Sequence, residues 1–337
     1  MNTIIESRFF QYNDDELDDQ EANKFTEKLI NEFNNAKYCY LLLDLSLRNV
    51  NQLALENEIY AYIEENYLYL QSINFRHPMF NNKNTPSLLP INREDKNLYH
   101  ILKKTILLSY QEIKPDWLLS GQGRAICGWL FSNKSIEIVS NYLAKLCIQK
   151  NRINDGEYLL RLYDPSVLNA ISGLFLPQIK DKVFAETTGW FILNGDGMLV
   201  CHTAVENHHQ IMPYRLGLIE EEKHKIANIG IENQTLLKYR SILRNQPRLS
   251  EDQARIQIRM AIEIAEKYQL NDEQDKVLFA LHYLTIGSKF YQTPKIVELL
   301  KIKDTYYQKR VASITYEQWQ EIKQQSNAFQ LGESYAV

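Results

Sequence analysis

Two short stretches without a polar break constrain this chain more than anything else in it. They are Tyr38-Cys39-Tyr40-Leu41-Leu42-Leu43 and Ala125-Ile126-Cys127-Gly128-Trp129-Leu130-Phe131. A half-exposed strand alternates apolar and polar residues, whereas an unbroken apolar run fits a strand covered on both faces. Such strands require helices above and below them, and the flanking sequence has the patterns for these. Between residues 19 and 35, Phe25, Leu29, Ile30 and Phe33 share one helical face. Helical patterns recur over about 52–65 and again at Leu98, Ile101, Leu102 and Ile106. Ser135 is placed to cap a further helix, whose inner stripe is Ile136, Val139, Leu143 and Leu146. Gly189–Leu193 and Met198–His202, joined by Asn194-Gly195-Asp196-Gly197, form a hairpin pattern. Residues 81–90, rich in Asn, Lys, Thr, Pro and Ser, read as a loop.

At about Met212 the grammar changes: strand signals stop and helix signals take over. Ser250-Glu251-Asp252-Gln253 is a capping-box pattern. Asn271-Asp272-Glu273-Gln274, Thr293-Pro294 and Thr315-Tyr316-Glu317-Gln318 mark further helix starts. The expected fold is therefore an α/β N-terminal lobe over residues 1–211, a mixed sheet flanked by helices, followed by an all-α lobe over 212–337. The helix after Ser250 carries Ala254, Ile258, Ala261, Ile262 and Ala265 on one face, and Ile256, Met260 and Ile264 in a second apolar row. A helix apolar on two faces is deeply buried or covered by a partner, which makes Ile256, Met260 and Ile264 candidates for partner binding.

Tyrosine is the unusual residue count, 21 in 337, and Tyr38, Tyr40, Tyr60, Tyr62, Tyr67 and Tyr69 crowd the first quarter. Its large ring with a polar tip suits protein interfaces, so Tyr67 and Tyr69 join the candidates. Nucleic acid is not an expected partner, because the net charge is −4 and no basic stripe is visible. The four cysteines are widely spaced without a C-x-x-C pair, and read as free buried thiols. Met1–Arg8 lacks a leader pattern, and no stretch approaches the ~18 apolar residues of a membrane span. A cytoplasmic protein without a membrane span is the expectation.

Chemistry is hard to find. The phosphate-cradling and nucleophile-elbow motifs are missing, and Gly121-Gln122-Gly123 is only a fragment of a dinucleotide fingerprint. Glu206-Asn207-His208-His209, with His202 nearby, is the densest group of possible metal ligands, but adjacent histidines point in different directions. Glu64-Glu65 and Glu220-Glu221-Glu222 fit solvated helix faces. No catalytic, metal or cofactor residue is expected. A hydrolase-like enzyme with a dispersed site in the α/β lobe is the alternative. It would need a deep pocket holding a converging nucleophile and base, where an adaptor would show a shallow groove lined by Tyr and Leu.

The segment from Asp155 to Leu168 reads as turn, strand and helix. Along a strand from Tyr158 to Tyr163, Leu159, Arg161 and Tyr163 would share one face. Arg161 would then lie inside an apolar strand and need a carboxylate, with Asp164 the nearest in sequence. Asp164 also suits the N-cap of the next helix and Pro165 its first position.

Gly128-Trp129-Leu130-Phe131-Ser132, the helix that follows, Asp155-Gly156 and Leu160-Arg161-Leu162-Tyr163-Asp164-Pro165-Ser166-Val167-Leu168 together resemble the signature of the type VI secretion effector-chaperone, or adaptor, family (Tap/TEC-type proteins). Tyr40-Leu41-Leu42-Leu43-Asp44 and the Pro86-x-Leu88-Leu89 stretch are similar to further segments of that family's shared domain, and the likeness covers about residues 38 to 200. One departure is Ser166, where the family usually has Arg. The resemblance implies that Arg161, Tyr163, Asp164 and Pro165 are family-motif residues. It also implies a job: holding a secreted effector protein and helping to load it onto the VgrG spike protein. The α/β lobe would be the shared gripping domain, and the helical lobe would help choose the cargo. A structural or regulatory subunit of another machine is a third reading.

Overall fold

The computed structural model describes residues 16–46, 58–76, 85–150, 156–205, 216–244 and 246–334. Asn13–Ile226 falls in one compact unit, and a second is built on Ala227–Val337.

The first unit runs α1 (Glu16–Asn35), β1 (Tyr38–Leu43), α2 (Glu58–Glu65), β2 (Gln71–Ser72), β3 (Ser87–Ile91), α3 (Leu98–Glu112), α4 (Pro115–Leu119) and β4 (Ile126–Ser132). It continues with α5 (Ile136–Cys147), β5 (Ile148–Lys150), β6 (Glu157–Leu159), α6 (Pro165–Ser172), α7 (Pro177–Phe184), β7 (Gly189–Leu193), β8 (Leu199–His202) and α8 (Glu220–Ala227). Six strands form one sheet in the order β2-β3-β1-β4-β7-β8, while β5 and β6 make a separate two-stranded ribbon. The two apolar runs are β1 and β4, side by side at the centre of the sheet.

The sequence led us to expect a mixed sheet; every pairing is antiparallel. Continuous apolar strands report two covered faces, and antiparallel strands can be covered twice as well. Cys39, Leu41 and Leu43 of β1, Trp129 and Phe131 of β4 and Phe191 and Leu193 of β7 face one core with α1, α2 and α3. The alternate residues face the other way, where Phe184 of α7 meets Trp190 edge-on at 6.1 Å and the Tyr40 hydroxyl donates to the Lys134 carbonyl at 2.8 Å.

A register shift between Leu42 and Leu43 marks a bulge in the β1–β4 pair. Gly128 lies there with φ +150°, and a Cβ on it would come within 2.5 Å of the Phe191 carbonyl oxygen. Only glycine fits that approach.

Two elements depart from the sequence reading. Part of the stretch read as a loop is β3, whose Pro90 lies opposite Tyr40 of β1. Pro90 is tolerated because β2 pairs only with Ser87 and Leu88, so β3 is an edge beyond that point. The strand expected over Tyr158–Tyr163 is only Glu157–Leu159 long. After it the chain turns twice, with Leu162 N–H donating to Leu160 O at 2.7 Å and Asp164 N–H to Arg161 O at 2.9 Å. The expected alternation is lost there: Leu160, Leu162 and Tyr163 are all buried.

The first unit also runs past the 211/212 division read from the sequence. Leu216 N–H donates to Gln149 Oε1 at 3.0 Å, a contact buried at both ends.

The second unit consists of α9 (Ile229–Ile242), α10 (Glu251–Lys267), α11 (Glu273–Thr285), α12 (Pro294–Lys301), α13 (Tyr307–Val311) and α14 (Tyr316–Ser334). An α/β lobe is thus followed by helices, as expected. The capping box of α10 forms, with Ser250 Oγ and Gln253 Oε1 each accepting the other's backbone N–H. Asp272 caps α11 through the N–H groups of Gln274 and Asp275. Thr315 and Gln318 repeat the reciprocal pattern at α14. Ser135 and Thr293 occupy N-cap positions without a side-chain capping bond. Ala254, Ile258, Ala261, Ile262 and Ala265 lie in the core.

Candidate protein-binding site

The candidate contact residues fall in separate places. Tyr67-Leu68-Tyr69 form a 3-10 turn between α2 and β2. Their relative exposures are 67%, 93% and 66%, so three large apolar side chains in a row stand in solvent. On α10 the second apolar row is also on the surface: Ile256 is 59% and Met260 49% exposed, with Ile264 half-buried beside them.

Beside the 3-10 turn lies a groove of about 680 Å³ at the end of the sheet where β1 begins and β3 finishes. Tyr38, Tyr40, Tyr62 and Tyr69 line it, which brings together four of the tyrosines that crowd the first quarter of the chain. Tyr38 and Tyr40 project from the same face of β1, and their rings stack at 5.9 Å. Arg93, exposed, also lines the groove. Its guanidinium donates to the carbonyls of Phe33 and Ala36, at the end of α1, and lies 4.7 Å from the Phe33 ring centre. A cation on the last carbonyls of a helix satisfies acceptors that have no helical donor. Lys37 Nζ is 5.1 Å from the Tyr38 ring centre. Glu94 and Asp95 complete the rim. Burial pushes the Tyr62 hydroxyl pKa up, and the Asp95 carboxylate adds to the effect. Burial likewise pushes up the pKa of the Cys39 thiol, the one cysteine in the lining, so it stays protonated.

The Arg161 motif is built differently from its sequence reading. The Arg161–Asp164 pair exists, Nη2 to Oδ2 at 3.1 Å, but the Arg161 side chain is 52% exposed. A buried guanidinium would lose its hydration, and the two turns let Arg161 point outward while Leu160 and Leu162 point in. Burial opposes the charge on Arg161, yet its pKa is raised, because the nearby Asp164, Tyr163 and Asp44 outweigh the cost of burial. Tyr163 is buried against Phe75, ring centres 5.8 Å apart. Asp164 accepts Ser166 N–H at 2.9 Å as the N-cap of α6, with Pro165 in the first turn. The motif therefore holds a corner, with Arg161 on its surface.

The chain matches no protein-family model, no curated protein and no solved structure with which it was compared.

Cys39, Cys127 and Cys147 are free and buried; Cys201, on the edge strand β8, is free and exposed, contrary to the expectation of four buried thiols. An edge strand has only one neighbour to cover it. Glu206-Asn207-His208-His209 and Asp155 lie outside the described residues. Among the described residues no three His, Cys, Asp or Glu side chains gather as a metal site would need. No helix among them is long and apolar enough to cross a membrane. Glu64, Glu65, Glu220 and Glu221 are exposed, whereas Glu222 turns back to accept Ile219 N–H at 2.8 Å.

The sequence reading missed the groove, Leu68 and a buried ionic cluster in the helical unit. In the cluster, Glu251 pairs with Arg240 and Arg255 at 2.7 and 2.8 Å, and Glu232 with Arg255 and Arg259 at 3.3 and 2.8 Å. The four-residue spacing of Glu251, Arg255 and Arg259 on one helix was the signal available for it.

Proposed function

We propose that this protein is an adaptor that binds a secreted effector protein and helps load it onto the VgrG spike of a type VI secretion machine. The observation that carries the binding part is the exposed Tyr67-Leu68-Tyr69 turn. Large apolar side chains clustered in solvent mark interaction surfaces, and tyrosine is prominent among interface anchors. The Ile256–Met260 row supplies a second surface of the same kind, on the helical unit. The identity of the partners rests on the resemblance carried by Gly128–Ser132 and Leu160–Leu168. The tyrosine-lined groove beside that turn supports this reading, since tyrosine rings with polar tips suit protein contacts.

Co-expression with a type VI effector and a VgrG spike protein tests the proposal. The expected result is a complex that co-purifies with the intact chain and is lost from a Tyr67→Ala, Leu68→Ser double variant of unchanged thermal stability. Failure of the intact chain to retain either protein overturns it.

A further inference from the structure

α14 is the longest helix of the helical unit, yet little of it is anchored. From Tyr316 to Phe329 only Ile322 and Ser326 are buried; Gln318 and Trp319 are half-buried and the other side chains are exposed. The shorter α10 buries seven side chains. Trp319, Ile322 and Ser326 recur at three- and four-residue spacing and so make one narrow stripe. Trp319 lies against His282, ring centres 4.6 Å apart, and the helix packs on the 3-10 turn Phe290–Gln292. At Gly287 the fit is close but incomplete. Gly287 has φ +145°, and a Cβ on it would come within 2.5 Å of Ser326 Oγ. That hydroxyl is buried without a hydrogen-bond partner. Its lost hydration is a cost of docking, and water returns it when the helix lifts away.

We propose that α14 is a releasable strap, which comes away from His282 and the Phe290–Gln292 turn as one piece while the other helices of the unit stay folded. The proposal goes beyond the adaptor reading and does not depend on which proteins the chain binds. The helices beneath the strap have their own support. The Asp275 carboxylate accepts the N–H groups of Tyr307 and Gln308 at 2.7 and 3.0 Å, which fixes α13 on α11. Phe279 meets Phe290 and Tyr307 at 5.0 and 5.7 Å between ring centres. His282 Nδ1 is hydrogen-bonded to the Tyr307 hydroxyl at 2.9 Å, so it keeps a polar partner when Trp319 leaves. A single helix is marginal in water, so the detached strap unwinds and its amides open to solvent. The strap is thus a gate over the face formed by His282 and the Phe290–Gln292 turn, open for the fraction of time it is off.

Hydrogen exchange of the full chain, read residue by residue, tests this. The amides from Ile322 to Phe329 should exchange at one shared rate, at least about tenfold faster than those of α10 and α11. Ile322→Ser should speed that exchange by a further factor of about ten or more and leave α10 and α11 unchanged. Ser326→Ala should act the other way. It removes the unpaired hydroxyl and should slow exchange of the strap about threefold or more, again without effect on α10 and α11. Four results overturn the proposal. One is protection of α14 equal to that of α11. Another is a gradient of exchange rising toward Ser334, which is fraying of the helix end. The others are a rise in every helix alike in Ile322→Ser, and unchanged exchange of the strap in Ser326→Ala.

Discussion

The two units solve the problem of buried polarity in opposite ways. The α/β unit keeps ion pairs off its sheet: both faces of β1, β4 and β7 meet apolar side chains, the buried Glu112 carboxylate accepts backbone N–H groups of Ala125 and Ile126 where β4 begins, and Arg161 turns outward at a place where sequence alternation would have buried it. The helical unit takes charge inside, clustering Arg240, Glu251, Arg255 and Glu232 at 10% side-chain exposure or less between α9 and α10. A sheet covered on both faces leaves little room for a guanidinium and its partners. Two helices side by side can line up acids and bases at four-residue spacing and satisfy every member. One unit is therefore vulnerable to changes of shape, the other to changes of charge.

Variants can break that contrast. The largest effect is expected from Gly128→Val, which combines a left-handed φ with a 2.5 Å approach to backbone. It should cost on the order of 5 kcal/mol, lowering protection from hydrogen exchange in the α/β unit. Glu232→Ala strips the carboxylate from Arg255 and Arg259. About 3–5 kcal/mol should be lost, with exchange rising across α9 and α10. Equal responses of both units to either change would undo the comparison.

Acid should act on both units for one shared reason. Burial lowers the pKa of His202 in the α/β unit, and of His282 in the helical unit, from 6.5 to about 4. The unfolded chain takes up these protons first. The stability contributed is whole above pH 6.5 and is lost as pH falls toward 4, on the order of 1–3 kcal/mol for each histidine. Urea titrations at pH 7 and pH 5 measure the loss, and His202→Phe and His282→Phe should each remove part of it. His282 lies 4.6 Å from Trp319, ring centre to ring centre, which gives the helical unit its own fluorescence signal.

Smaller still is Arg161→Ala. A buried pair would have cost 3–5 kcal/mol; the half-exposed pair observed here should cost about 1 kcal/mol or less. A melting temperature lowered by no more than a few degrees is the expected result. Smallest is Met260→Ser, whose effect on stability should fall within about 0.5 kcal/mol because the side chain is half in solvent. Loss of partner retention at unchanged stability would distinguish that surface from a merely structural one.

What could be read from the sequence follows how local each determinant is. The strands at Tyr38–Leu43 and Ile126–Ser132, the Gly189–His202 hairpin and the caps at Ser250, Asp272 and Thr315 are set by neighbours in the chain, and they were legible. β3 was not, because turn-forming residues precede it and Pro90 lies within it. Arg161 was misplaced because alternation assumes a strand continuing through Tyr163, and the desolvation cost of a guanidinium bends the chain first. Tyr67, Tyr69, Ile256 and Met260 were legible as surface candidates from residue type and helical spacing. The groove was not, because its walls come from three separated stretches: Phe33–Tyr40, Tyr62–Tyr69 and Pro90–Asp95.

The two-residue strand β2 and the Pro90 that lies beyond its reach have a consequence for what that edge of the sheet can hold. On that side the open row of N–H and C=O groups is short, two residues of β2 and the end of β3 where Pro90 has no N–H, so an extended chain finds little backbone to zip onto. Anything held beside it must be held by side chains, which can let go one contact at a time.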